Sequence, residues 1–123
     1  MSFDLLFEIR DGYIVGVVTG VIDTPEMLLR KVRTMVHKGL DSNLTRFLMD
    51  ERGLEMNLEQ HDIIQVANQL EKRNIQALGG RSACLCKPES TELYRACETV
   101  YHNRSLSYRV FEREEDAVAW LMR

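Results

Sequence analysis

The sequence predicts an α/β fold with a mixed, mainly parallel five-stranded sheet and four helices. Three observations support this prediction: a hairpin signal near the amino terminus, three helical patterns that each separate β-rich runs, and a closing amphipathic segment. The predicted order is strand, strand, helix, strand, helix, strand, helix, strand, helix, and strands joined by helices pair in parallel. With 123 residues, 45% of them apolar, the chain is expected to form one domain over residues 1–123.

The first two predicted strands form an antiparallel hairpin. Residues 3–9 and 13–19 are short runs rich in apolar and β-branched side chains. Asp11 and Gly12 lie between them, and an Asp-Gly pair favours the tight turns that join antiparallel strands. This hairpin makes the predicted sheet mixed, because the later strands are connected through helices.

Capping residues and breaks in apolar spacing locate the remaining elements. The first helix begins where Thr24 precedes Pro25, and Gly39 is expected to close it. Asn57 and Gln60 are a plausible capping pair for the second helix. The other predicted elements are strands at 45–50, 82–86 and 107–111, and helices that begin at Ser90 or Thr91 and near Glu114.

Charge and composition exclude several classes of function. The net charge of −3 comes from 16 basic and 19 acidic residues spread along the chain, so no basic surface for nucleic acid is expected. No apolar run approaches the roughly 18 residues that span a bilayer, and the amino terminus carries an acid where a signal peptide has basic residues. An odd count of three cysteines fits a reducing compartment, so a cytoplasmic location is expected.

Three segments resemble the STAS domain superfamily. They are YIVGVVTGVIDTPEM at 13–27, FLMDERGLE at 47–55 and YRVFEREEDAVAWL at 108–121. Together with the element order, they look most like the small bacterial stand-alone STAS/SEC14-like proteins, whose relatives include the anti-sigma-factor antagonists of sporulation. The resemblance implies a regulatory module that binds a protein partner and is not an enzyme.

The chain departs from the antagonists at the start of the second helix. In the antagonists, an Asp-Ser-Ser-Gly or Asp-Ser-Thr-Gly segment there supplies a hydroxyl to a kinase. The corresponding residues here are Leu58, Glu59, Gln60 and His61, none of which carries a hydroxyl. Since phosphorylation acts by adding charge at a helix start, Glu59 is expected to provide one permanent charge there instead. Regulation by phosphorylation at this position is therefore not expected.

The acidic segment after the central strand does not match a catalytic or metal site. Asp50, Glu51 and Glu55 lie beside Arg52 at a strand end that we expect to be solvated, whereas acid/base pairs need environments that separate their pKa values. Together with His61, these carboxylates fit neither an EF-hand loop nor an HExxH motif. We therefore expect no catalytic residue, no metal and no cofactor.

Cys84 and Cys86 are predicted to point to the same face of one strand. Such a pair becomes a metal site only if His37 or His102 reaches it, and the interleaved apolar residues favour two small buried side chains. The chain contains no GxGxxG, P-loop, GxSxG or CxxC motif, so the strongest sequence signals for nucleotide binding, hydrolysis and redox chemistry are missing.

Two functional hypotheses follow, and a homodimer stays open under both. The first is a docking module whose protein partner binds polar residues at the carboxyl end of the central strand, where open α/β sheets place their sites. We call these residues the docking surface: Asp50, Arg52, Gly53, Asn57, Glu59, Gln60 and His61. The alternative is a carrier of a lipid or other apolar small molecule, in a pocket lined by methionine and phenylalanine. The pocket candidates are Met27, Met35, Met49, Met56, Met122, Phe3, Phe7, Phe47 and Phe111.

Overall fold

The α/β prediction is confirmed in a computed structural model that describes residues 2–123. Over that range the chain forms five strands and four α-helices, in the predicted order. The elements are β1 Phe3–Arg10, β2 Tyr13–Ile22, α1 Pro25–Ser42, β3 Arg46–Met56, α2 Gln60–Lys72, β4 Arg81–Leu85, α3 Thr91–His102, β5 Ser107–Phe111 and α4 Glu114–Leu121. Short 3-10 turns at Ile75–Leu78 and Pro88–Ser90 precede β4 and α3.

The sheet has the strand order β1-β2-β3-β4-β5. β1 is antiparallel to β2, and every later pair is parallel. Gly12 adopts a φ of +83° in the β1–β2 turn, a conformation that glycine reaches without steric cost. The predicted mixed sheet with an amino-terminal hairpin is therefore correct.

Helices cover both faces of the sheet, in unequal numbers. The larger apolar cluster joins one sheet face to α1, α2 and α3, with Leu28, Ile63 and Tyr94 as representative buried side chains. The smaller cluster joins the other face to α4 through Ala117 and Leu121. Among residues 2–123, no helix combines the length and the apolarity needed to cross a bilayer.

Two predicted helix boundaries are wrong. α1 runs past Gly39 to Ser42, because Asn43 takes the left-handed conformation that ends the helix, with a φ of 55°. The cap of α2 is not the Asn57–Gln60 pair. Glu59 is the N-cap residue of α2, and its backbone N–H donates to the Asp62 carboxylate at 2.9 Å.

The central strand β3 is longer than predicted and carries a β-bulge. Val17 pairs with Asp50 and Thr19 pairs with Gly53. Two residues of β3, Glu51 and Arg52, therefore lie opposite one residue of β2, Val18. Beyond the bulge, β3 continues beside β2 to Met56. The predicted strand ends at Asp50, whereas the observed strand continues to Met56.

Candidate functional site

Three buried side chains form a polar cluster between the helices and the sheet, which we call the buried triad: Lys31, Glu51 and Tyr94. Lys31 Nζ donates to Glu51 Oε2 at 2.6 Å, and the Tyr94 hydroxyl donates to Glu51 Oε1 at 2.8 Å. The Lys31 and Glu51 side chains are only 7% and 1% exposed. Both carboxylate oxygens have donors and the two charges cancel, which is what a buried ion pair requires.

Each member of the buried triad comes from a different element. Lys31 lies in α1 between Leu28 and Met35, on the helix face that packs against the sheet. Glu51 lies in the bulge of β3, and Tyr94 lies in α3. Because bulges redirect side chains, this one allows Glu51 and the later core residue Leu54 to face the same helices.

The surroundings fix the protonation of the cluster at neutral pH. Burial is the largest single influence and would lower the pKa of Lys31, but attraction to the Glu51 carboxylate, the hydrogen bond to it and smaller effects of Cys84 and Cys97 together raise the pKa of Lys31. Burial, followed by the charge of Glu51, raises the pKa of Tyr94 far above its usual range. Burial also raises the pKa of the neighbouring Cys97 thiol to about 12. Lys31 is therefore charged at neutral pH, while Tyr94 and Cys97 keep their protons.

We expect stability to fall steeply in alkaline solution. The pKa values of Lys31 and Tyr94 are raised in the folded state, so their contribution is complete below their unfolded values of about 10 and is lost as pH rises through the folded values. Urea unfolding between pH 7 and 11 measures this. A variant with Lys31→Met, Glu51→Leu and Tyr94→Phe is expected to lose less stability over the same interval, and parallel curves would contradict the prediction.

An apolar cavity of about 220 Å³ extends to the buried triad from the end of the sheet at which β3, β4 and β5 begin. Its inner end is lined by Lys31, Glu51 and Cys97, which are buried. Leu40 and Leu78, which are 64% and 45% exposed, line it where it meets solvent. α1 and the parallel strands run in opposite directions, so this mouth lies at the amino ends of β3, β4 and β5.

Four of the nine predicted apolar pocket residues line the cavity. They are Met35, Phe47, Met49 and Met56. Phe3, Phe7 and Met27 pack against the larger apolar cluster, and Phe111 packs against the smaller one. Met122 is exposed. Helical and strand spacing placed all of these residues except Met122 in or against the core, but it did not tell which of them border the cavity.

The docking-surface residues fall into two groups. In the first, the Arg52 guanidinium donates to both carboxylate oxygens of Asp50 at 2.9 and 2.8 Å and lies 4.0 Å from Glu114 of α4. The hydrogen bonds from Arg52 lower the pKa of Asp50. Gly53 follows in β3 beside Thr19. This group lies on the α4 side of the sheet.

The second group surrounds the start of α2. The His61 ring lies 3.5 Å from the Glu59 carboxylate and 3.4 Å from that of Asp62, and both His61 and Glu59 are exposed. Gln60 is the first residue of α2, and the Asn57 N–H donates to the Ile22 carbonyl at 2.8 Å. Within residues 2–123, no side-chain hydrogen bond or ion pair joins the two groups.

The cysteines are buried, as the pattern around Cys84 and Cys86 predicts. Cys84, Cys86 and Cys97 are all free thiols within the larger apolar cluster. Burial is the main cause that raises the pKa of each thiol. Among the described residues, no group of three or more His, Cys, Asp or Glu side chains is arranged to hold a metal ion.

Sequence reasoning missed the buried triad. The prediction that Glu51 is solvated is wrong, because Glu51 lies in the bulge of β3 and faces Lys31 of α1. One signal was available for Lys31: it lies three residues after Leu28 and four before Met35, on the buried stripe of α1. No comparable signal pairs an amine with a carboxylate twenty positions away.

Comparisons with solved structures give the same fold. An uncharacterised DUF3478 protein with a SpoIIAA-like fold from Shewanella loihica PV-4 is 20% identical, with 98% of this chain and 94% of that chain covered and a TM-score of 0.55. An anti-sigma factor antagonist from Mycobacterium paratuberculosis is 15% identical over 99% and 96% of the chains, with a TM-score of 0.60.

The unphosphorylated anti-sigma factor antagonist SpoIIAA gives a similar result, with 14% identity over 97% of this chain and 98% of that chain and a TM-score of 0.54. No family model and no curated protein matches the chain. The resemblance to STAS-like domains that the sequence suggested is thus confirmed at the level of the fold.

Proposed function

We propose that this STAS-like domain is a non-catalytic regulatory module that binds a protein partner through the docking surface. The observation that carries the proposal is the start of α2, where the Glu59 N–H donates to the Asp62 carboxylate at 2.9 Å and the Glu59 carboxylate is exposed beside it. Residues 50–62 contain no serine, threonine or tyrosine. A permanent negative charge at this helix start favours a partner that presents basic groups, and it needs no kinase to create it.

The protonation states support a non-catalytic role. The Asp50 carboxylate is held ionised by Arg52, since its pKa is lowered. Within the buried triad, Glu51 accepts hydrogen bonds from Lys31 and Tyr94. The thiols keep their protons because burial raises their pKa values. With the pKa of Asp50 lowered and those of Lys31, Tyr94 and the thiols raised, none of these side chains is suited to proton transfer near neutral pH.

We expect charge reversal at the docking surface to remove the partner. Arg52→Glu combined with Glu59→Lys reverses one charge in each group, and capture of the partner from a lysate of the source organism should fall on the order of tenfold or more. Glu71→Lys is the matched control, because Glu71 is exposed at the far end of α2. Both proteins should unfold at similar urea concentrations.

Two results would contradict the docking proposal. One is undiminished capture of every partner by the doubly reversed variant. The other is stoichiometric phosphorylation of Thr19, an exposed hydroxyl residue paired with Gly53, because the surface would then be switched by a kinase after all. Intact-mass measurement of protein purified from its source organism tests the second result.

A second candidate function is the binding of an apolar small molecule, and the cavity favours it. Its volume of about 220 Å³ exceeds the roughly 150 Å³ of an engineered apolar cavity that takes up benzene. Native mass spectrometry after gentle purification distinguishes the two functions, because a carrier retains a copurifying apolar molecule and a docking module does not.

A further inference from the structure

We propose that the free edge of β1 pairs antiparallel with β1 of a second copy of this chain, which gives a two-fold symmetric dimer with one continuous sheet. The inference is independent of the docking surface and of the cavity. Three features of residues 2–123 lead to it: an open edge at β1, a blocked edge at β5, and charges along β1 that complement those of a reversed copy.

The edge of β1 is open to a further strand. β1 pairs with β2 without a register shift, and the Ser2 carbonyl accepts from the Val21 N–H at 2.9 Å. Because hydrogen-bonded pairs alternate along an antiparallel ladder, every second residue of β1 turns its N–H and C=O groups away from β2. These residues are Phe3, Leu5, Phe7 and Ile9. Within residues 2–123, no backbone hydrogen bond outside the β1–β2 ladder involves them, and none is a charged residue or a proline.

The other edge of the sheet is blocked. At β5, the Val110 N–H donates to the Glu98 carboxylate at 2.8 Å, and the Arg95 guanidinium donates to the Val110 carbonyl at 3.4 Å. Both side chains come from α3. Backbone groups that already have partners offer no template to another strand. Pairing through β1 therefore leaves a blocked edge at each end of the joined sheet, and the assembly stops at two copies.

The charges of β1 select one register for the pairing. Asp4, Glu8 and Arg10 share one face of the strand, since they lie an even number of positions apart. A two-fold axis at Phe7 places Asp4 opposite Arg10 of the second copy, and the symmetry repeats this favourable pair. An axis at Leu6 or at Glu8 would instead place two carboxylates opposite each other. Charge complementarity therefore favours the axis at Phe7.

The same register joins backbone groups and apolar side chains. Phe7 lies opposite its own copy and Leu5 lies opposite Ile9, so the outward N–H and C=O groups of these residues meet. On the other face of the sheet, Leu6 is 72% exposed and pairs with Val17 of β2, which is 40% exposed. The axis brings Leu6 within diagonal reach of Leu6 in the second copy. Pairing therefore removes exposed apolar surface from water.

Two factors limit the affinity. Each Lys38 amine lies 6.0 Å from the centre of the Phe7 ring in its own chain, so an axis at Phe7 brings two like charges together. Lys38 is partly exposed, and salt screens such charges over about 8 Å at physiological ionic strength. A single pair of edge strands also buries less area than a standard interface of about 1,600 Å². We therefore expect a dissociation constant on the order of 10 µM at physiological salt.

Sedimentation velocity between about 1 and about 500 µM protein tests the dimer and its register. The wild type should change from monomer to dimer without larger species. Asp4→Arg should weaken association on the order of tenfold, because an arginine then faces Arg10 at two symmetric places. Asp4→Arg combined with Arg10→Asp exchanges the two charges and should recover most of that loss. Glu71→Arg, exposed at the end of α2, is the control and should leave association unchanged.

Hydrogen exchange tests the edge without any substitution. The Phe7 amide, which faces away from β2, should exchange roughly fivefold more slowly at dimeric than at monomeric concentrations, because only pairing gives it an acceptor. The Leu6 amide faces β2 and should exchange at the same rate in both.

Four results would overturn the proposal. A protein that stays monomeric at every concentration would exclude self-pairing and assign the open edge to a strand of another protein. A dimer in which exchange at Phe7 does not slow would place the interface elsewhere. Tighter association of Asp4→Arg would mean that the new arginine meets Glu8, which excludes the axis at Phe7. Species larger than a dimer would contradict the blocked edge at β5.

Discussion

Lys31→Met is expected to lower the free energy of unfolding by about 3–5 kcal/mol, the usual effect of removing one partner from a buried ion pair. The substitution keeps an aliphatic chain in place but leaves the Glu51 carboxylate, 1% exposed, with the Tyr94 hydroxyl as its remaining side-chain donor. Domains of this size are stable by about 5–15 kcal/mol, so the loss is a large share of the total. Urea unfolding at pH 7 measures it.

The triple variant that removes the whole buried triad separates the ion pair's role from its packing. Replacing Lys31, Glu51 and Tyr94 by Met, Leu and Phe leaves neither a charge nor an unpaired hydroxyl. Such replacements are often neutral or stabilising, so this protein should be at least about 2 kcal/mol more stable than Lys31→Met alone. A Lys31→Met protein within about 1 kcal/mol of the wild type would mean that Glu51 reaches solvent.

Gly39→Ala is expected to destabilise the protein by about 1–3 kcal/mol, although the same change in an open helix interior stabilises by about 0.5–1 kcal/mol. A Cβ atom at Gly39 would lie 2.8 Å from the Leu44 carbonyl oxygen and 2.9 Å from the Phe47 ring. The Leu44 N–H also donates to the Gly39 carbonyl at 3.0 Å, so the two backbone segments are held together. Either the end of α1 or the Phe47 ring has to move.

Gly80→Ala is the matched control for Gly39→Ala. A Cβ atom there would meet only the Thr45 carbonyl oxygen, at an ordinary contact distance of 3.5 Å. Its stability should stay within about 0.5 kcal/mol of the wild type. The melting temperatures of the two variants provide the measurement, and a Gly39→Ala protein as stable as Gly80→Ala would show that the close approach is absent in solution.

The fold could be predicted from the sequence because its signals are local. The Asp11–Gly12 turn and the Thr24–Pro25 cap each depend on a few adjacent residues, and both are present in the structure. Thr24 Oγ1 accepts from the Met27 N–H at 3.2 Å, as its position predicts. Local signals of this kind place element types well, and their order fixes the strand pairing.

The helix and strand boundaries and the buried triad depend on contacts between residues that are far apart in the sequence. Gly39 resembles a helix terminator, but Asn43 ends the helix. The absence of a side chain at Gly39 instead leaves space for the Phe47 ring. β3 continues past Asp50 because β2 continues beside it. The partners Lys31 and Glu51 meet only once α1 has packed on the sheet, so their pairing is a property of the tertiary structure.

The bulge in β3 makes the length of this segment as important as its composition. If the same residues formed a regular strand without the bulge, Glu51 and Leu54, three positions apart, would face opposite sides of the sheet, and residues 53–56 would all exchange sides. Leu54 and Met56 would then turn toward water, and Glu55 would turn toward the apolar interior. Homologous chains that lack the bulge should therefore be one residue shorter between Asp50 and Leu54, which keeps the apolar positions on the same face.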